Sequence, residues 1–268
     1  MFGQNRLVVR KKQCIQETIS DVSLDWITGD IQILQSENDE IEIIQTADQR
    51  FPESKLFRYQ VNNGVLSIAD GRKQKLNIGF NFKQTALEIY LPNKKFNSLT
   101  IDSVGSHLSI NNLDVTKCRY NTTSGKANLS GKMIELDIQT IASHIVGDHL
   151  EVEKLNLHAT SSPINLSGNF SELNAYSTGR SIVIRSSTML QQMKSISTAA
   201  NVTITIPDNE GFTFKCKKVS GSFKSDFSLN RDGDRSTYKN GINQFSAEVR
   251  GGCFTLCKDS LRNFNKSI

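Results

Sequence analysis

The sequence predicts an all-β chain of the single-stranded β-solenoid (β-helix-like) kind, with about 18–20 residues per rung and antiparallel capping strands at both ends. Three observations predict it. Apolar and polar residues alternate with period two over short stretches along the 268-residue chain, the pattern of a strand with one buried face. From Phe96 onward the segments superimpose with a period of about 19 residues. The bends between them carry Ser, Thr and Gly in the same place each time, as tight corners demand.

The first strand of each repeat supplies the column Leu99, Cys118, Leu136, Leu155, Leu173 and Met193. Two residues later comes the column Ile101, Tyr120, Ile138, Leu157, Ala175 and Ser195. Between them lie Thr100, Arg119, Asp137, Asn156, Asn174 and Lys194, which the alternation turns outward. Corners follow at Val104-Gly105-Ser106, Thr123-Ser124-Gly125, Ile141-Ala142-Ser143, Thr160-Ser161-Ser162, Thr178-Gly179-Arg180 and Thr198-Ala199-Ala200. The second strand then adds Leu108, Ala127, Ile145, Ile164, Ile182 and Val202, and after them Ile110, Leu129, Gly147, Leu166, Ile184 and Ile204. No single rung can cover its own apolar face, so each is expected to stack on a neighbour about 4.8 Å away. Pro92 and Pro207 bracket the array as strand ends. The stretch Ser187 to Met193 exceeds a standard turn and is expected to loop out or to make a short helical turn.

The ends differ from the middle, as segments that close an open strand edge should. Residues 1–95 contain strand-like pieces at Trp26 to Ile33, Glu40 to Ile44, Phe57 to Ile68 with a hairpin turn at Asn62-Asn63-Gly64, and Lys75 to Leu91. These are expected to cap the first rungs in antiparallel fashion. Residues 96–207 are the regular rungs. Residues 208–268 supply the last strands, from Phe212 to Phe227 and from Gln244 to Leu256, then a charged tail. One continuous domain is expected.

Composition narrows the function classes. The 32 basic and 27 acidic residues are spread along the chain, so no strong field implies nucleic acid. The densest basic runs, Arg10-Lys11-Lys12 and Lys215 with Lys217 and Lys218, read as solvated faces rather than phosphate sites. Cys14, Cys118, Cys216, Cys253 and Cys257 are an odd, scattered set, as expected of reduced thiols. No signal peptide or membrane helix is legible, which predicts a cytoplasmic protein with cell-envelope association left open.

The candidate sites weaken under the register. Cys253 and Cys257 share one strand face at a separation of roughly 13 Å, too far for one zinc. Cys118 reads as a buried hydrophobe. His107 and His144 fall about 9.6 Å apart, while His149 and His158 read as surface residues. Polysaccharide cleavage needs two facing carboxylates, whereas Asp102 and Asp137 fall in different columns and Glu151 and Glu153 flank a corner beside Lys154. The Ser-Gly pairs are corners rather than phosphate loops, and Asp232-Gly233-Asp234 reads as a surface turn rather than a calcium loop. The expectation is therefore no catalytic, cofactor-binding or metal residue, no cofactor, and no enzyme.

The chain resembles the bacterial putative-adhesin family of β-strand-repeat proteins, a domain family of unknown function with members linked to envelope-stress operons. The resemblance rests on Thr28-Gly29-Asp30-Ile31-Gln32-Ile33, Asp39-Glu40-Ile41-Glu42-Ile43, Leu87-Glu88-Ile89-Tyr90-Leu91-Pro92, the repeated Thr/Ser-Ser-Gly turns, Tyr238-Lys239-Asn240-Gly241 and Glu248-Val249-Arg250-Gly251-Gly252. It runs from about Ile19 to Leu256 and implies a noncatalytic solenoid. Many relatives carry an export signal or membrane helix, which this sequence lacks. A structural or interaction scaffold for a protein or glycan partner is the leading expectation. The alternatives are a polysaccharide-binding or polysaccharide-cleaving β-helix and a scaffold that self-associates through its ends.

Overall fold

The computed structural model describes residues 7–74 and 84–259. The predicted strand within 75–83 and the charged tail beyond 259 lie outside the described residues. The alternating segments become strand, and the helical pieces among the described residues are the short 3-10 turns Glu53–Lys55 and Gly71–Gln74. The protein is all-β. It divides into two compact units, Met1–Met133 and Ile134–Ile268.

The first unit holds β1 (Leu7–Ile15), β2 (Asp21–Gln35), β3 (Ile41–Asp48), β4 (Arg58–Asn62), β5 (Val65–Ala69), β6 (Thr85–Leu91) and the opening part of β7 (Phe96–Thr160). Strand β2 organises it. On one side β2 runs parallel to β7, setting Val22 beside Leu99, Leu24 beside Ile101, Ile31 beside Leu108 and Ile33 beside Ile110. On its other side the two halves of β2 meet β5 and β6, again in parallel, with Leu66, Ile68, Leu87 and Ile89 beside the same four residues. Every one of these side chains is buried.

The expectation of antiparallel N-terminal capping is thereby corrected for β2, β5 and β6. The physical reason is legible in β2 itself. Val22, Leu24, Ile31 and Ile33 have the spacing of Leu99, Ile101, Leu108 and Ile110, so the same face is buried by the same parallel stacking. Antiparallel pairing in this unit belongs to β1 with β3, β3 with β6, and the β4–β5 hairpin. That hairpin turns at Asn63 and Gly64, both at positive φ, as a tight two-residue loop requires.

Strand β7 coils back on itself. In the first unit Ser103 Oγ donates to Thr122 Oγ1 at 3.0 Å, Asn121 Nδ2 donates to Asp102 Oδ1 at 2.8 Å, and Ser124 Oγ donates to the Val104 carbonyl at 3.0 Å. Trp26 is fully buried, and the loop after β5 closes over it. There the buried Asp70 carboxylate accepts from Arg72 Nε at 2.8 and 3.0 Å and from the Ile27 amide at 3.1 Å.

The second unit continues β7 and adds β8 (Ile164–Thr178), β9 (Ile182–Ser186), β10 (Gln192–Thr198), β11 (Val202–Ile206), β12 (Gly211–Lys218), β13 (Ser222–Ser225), β14 (Asn230–Asp232), β15 (Arg235–Lys239), β16 (Asn243–Arg250) and β17 (Cys253–Lys258). Parallel pairs place Leu155 on Leu173, Leu173 on Met193, and Met193 on Phe245. The second strands follow suit, with Ile164 on Ile182, Ile182 on Val202, and Val202 on Phe254. Ser187 to Gln191 is irregular and non-helical, with Leu190 buried beneath it.

Chain order departs from stacking order at this end. Strands β16 and β17 lie between β10/β11 and β12/β13, and all of these pairs are parallel. Antiparallel pairing is confined here to β12 with β15 and β15 with β14, so the capping expectation is corrected at this end as well. The cause is aromatic burial: Phe212 stacks on Phe245 at 4.7 Å between ring centroids, and Phe214 packs against Phe223 at 4.6 Å. Asp208 ties the inserted hairpin down, accepting from Tyr238 Oη at 2.7 Å, Lys239 Nζ at 3.1 Å and Lys258 Nζ at 2.8 Å. These donors, Lys258 foremost, hold its carboxyl far below the usual carboxylate range.

Candidate functional site

The outward face of the parallel strands β7, β8, β10, β16 and β12 in the second unit gathers the most ordered polar side chains. Alternation forces this, because the same strands bury Leu155, Leu173, Met193, Phe245 and Phe214 on their other face. Asn156 is the hub. Its Nδ2 donates to Asp137 Oδ1 at 2.6 Å and to Glu135 Oε1 at 3.2 Å, and its Oδ1 accepts from Asn174 Nδ2 at 3.0 Å. One column along, the His158 ring stacks on Tyr176 at 4.7 Å and 11°, and Lys194 Nζ lies 5.7 Å from the Tyr176 centroid. Both faces of Tyr176 are therefore occupied.

Two open grooves cross this face. An acidic one of about 510 Å³ is lined by Ile134, Glu135, Glu153, Lys154, Ser171, Glu172 and Gln191. In it Lys154 and Glu172 are register partners on neighbouring strands, and Glu135 accepts a hydrogen bond from Asn156. The second groove, of about 210 Å³, is lined by Lys194, Ser195, Ile196, Lys215, Lys217, Ser246, Ala247 and Glu248. Glu248 is paired with Arg250 at 2.9 Å and with Lys217 at 3.5 Å, and its carboxyl is held below its usual value by them, Arg250 foremost.

The residues weighed from sequence are dispersed. His107 is largely exposed and faces Asp30 at 3.3 Å, and His149 is exposed beside Asp148 at 3.4 Å. His144 is exposed. Cys118 is fully buried in the first unit. Cys253 and Cys257 share β17, where their thiols shift oppositely. Hydrogen bonds from Ser222 and Thr255 lower Cys253, while burial and then Asp226 raise Cys257. Among the described residues no group of three or more His, Cys, Asp or Glu could hold a metal ion, and no helix is long and apolar enough to cross a membrane. Sequence reading found the outward columns but missed both grooves, because side-chain pairing within a column has no periodic signature. The Glu135, Lys154, Glu172 alternation at repeat spacing was the available signal for the acidic one.

Stacked parallel strands and swapped chain order at the second unit's end define an all-β class of protein built from parallel-stacked strands. Within that class the chain belongs to the Toastrack DUF4097 family, whose model matches residues 19–250. Among solved structures it is similar to a protein described as a putative adhesin from Parabacteroides distasonis, at 18% identity and a TM-score of 0.53, over 96% of this chain and 98% of that one. A putative adhesin from Parabacteroides merdae is similar at 15% identity and a TM-score of 0.45, over 94% and 97% of the two chains. A putative cell adhesion protein from Clostridium sporogenes is similar at 15% identity and a TM-score of 0.31, over 93% and 99%. No curated protein matches the chain at a significant level.

Proposed function

We propose that the protein is a noncatalytic, adhesin-like scaffold, each unit a stretch of single-stranded β-solenoid with about 18–20 residues per coil. The observation that carries this reading is the outward ladder from Asp137 through Asn156 to Asn174, whose members bond to one another rather than to a reacting centre. Parallel strands hold such groups about 4.8 Å apart, which suits recognition of a repeating partner, protein or glycan. The His158 ring and Lys194 beside Tyr176 keep that side chain from serving as an open platform for a nucleobase on this face. The absence of a disulfide among the five cysteines supports a reducing compartment such as the cytoplasm, with envelope association open.

Polysaccharide cleavage is the second reading, favoured by the three glutamates of the acidic groove. Self-association through the ends is weakened at β1, whose register shifts between Val9 and Lys11, an irregularity that discourages strand addition. A polysaccharide panel incubated with the full chain and assayed for new reducing ends tests the scaffold reading. Binding without turnover is expected. Turnover that disappears in Glu135→Gln or Glu172→Gln would overturn it.

A further inference from the structure

We infer that the basic groove of the second unit is a binding site for an anionic polysaccharide bearing repeated carboxylate or sulfate groups. This deepens the scaffold proposal and rests on it. The register builds the site from three elements. Lys194 of β10 and Lys215 of β12 each lie beside Ser246 of the intervening β16, and Arg235 of β15 lies beside Lys215 on its far side. Lys194, Lys215 and Arg235 are all exposed. Two strand spacings put the lysine backbones roughly 9.6 Å apart, and the small Ser246 side chain leaves a trough between the two long ones. Lys217 flanks the trough with its charge shared by Glu248, and Asp232 beside Arg235 limits the stripe at its outer end.

The other anionic partners fit less well. A single nucleic-acid strand would need an aromatic face to stack on, and the faces of Tyr176 are covered by His158 and Lys194. A peptide added as a strand would need a free edge, yet β10 and β16 are paired on both sides. A buried protein interface would be depleted of lysine, which is what lines this trough. An extended, heavily hydrated acidic glycan needs only a shallow groove with cations along it. Its association would be driven by counterion release at Lys194, Lys215 and Arg235, giving a salt slope of about two to three.

The test is affinity electrophoresis of the full chain through gels containing alginate, dextran sulfate, neutral dextran or poly-glutamate. The first two distinguish carboxylate from sulfate as the recognised group. Retardation by alginate or dextran sulfate, absent with dextran, is expected, and Lys194→Glu/Lys215→Glu should weaken it at least about tenfold. Lys126→Glu/Arg180→Glu, which changes net charge equally at exposed sites elsewhere, should leave it intact. Thermal midpoints of both variants check folding. The inference is overturned if the two double variants behave alike, if poly-glutamate or dextran binds as well, or if neither polyanion binds. Those outcomes leave the scaffold reading standing, whereas release of new reducing ends from alginate refutes the scaffold reading itself.

Discussion

Leu155 and Asn156 are adjacent in sequence and face opposite ways, so substituting each in turn tests the register directly. Leu155 is fully buried and rests on Leu173. Leu155→Ala removes three carbons worth about 0.8 kcal/mol each on burial, and the residual cavity raises the loss to about 3–4 kcal/mol. Asn156 is half-buried, and Asn156→Ala forfeits its bonds to Asp137, Glu135 and Asn174. Those partners regain water on the open face, so the net cost is about 1–2 kcal/mol. The Asn156 ladder makes this outward site costlier than an ordinary surface position. Urea unfolding followed by circular dichroism at the strand band should show the Leu155 midpoint falling well below that of Asn156 at equal m. Equal midpoints for the two variants would refute the assignment of faces.

Asp70→Ala strips the buried Arg72 guanidinium of its counter-charge, leaving it the Thr28 carbonyl, and leaves the Ile27 amide without its acceptor, a loss of about 3–5 kcal/mol. Fluorescence of Trp26, the only tryptophan, should report it as a lowered unfolding midpoint. Gly168→Ala should destabilise the second unit by about 2 kcal/mol or more, because φ is +155° and a Cβ would stand 2.0 Å from the Leu150 carbonyl oxygen; an unchanged thermal midpoint would contradict that close approach. Ser195→Ala should be neutral or stabilising by up to about 1 kcal/mol, since the hydroxyl is buried without a partner between Ala175 and Ala247; a marked loss of stability would reveal a bond this hydroxyl makes. The depressed Asp208 carboxyl contributes stability that is present above its unfolded value and lost as pH falls through its folded one. Asp208→Asn should accordingly flatten the acid limb of the stability profile below about pH 4, and an identical limb in both proteins would count against the latch.

Much of the middle of the chain was legible because burial of one strand face leaves a period of two, and stacking repeats it at a fixed interval. Leu155 beside Leu173 and Ile164 beside Ile182 follow from that alone. The Asn63-Gly64 turn was legible for a different reason, the need for positive φ at both positions. The grooves were not. Whether Lys194 and Lys215 share a trough depends on β16 entering between their strands, and Lys215 meets Arg235 only through an antiparallel hairpin closed by Gly233-Asp234.

That insertion shows why stacking order is harder to read than strand identity. In the second unit β12 and β13 leave the stack one place early and β16 and β17 fill the gap; in the first unit β2 is flanked by β7 on one side and by β5 and β6 on the other. A parallel column buries its side chain equally well whether the neighbour is the next segment or a later one, so alternation carries no information about order. The discriminating residues are bulky ones. Phe245 continues the column of Met193 and Phe254 that of Val202, and they are met on the outer side by Phe214 and Phe223. The same residues set the function proposed for the groove. Ser246 points outward because alternation turns its neighbour Phe245 inward, and without β16 between them the two lysines would be adjacent and mutually repulsive rather than spaced to straddle an acidic chain.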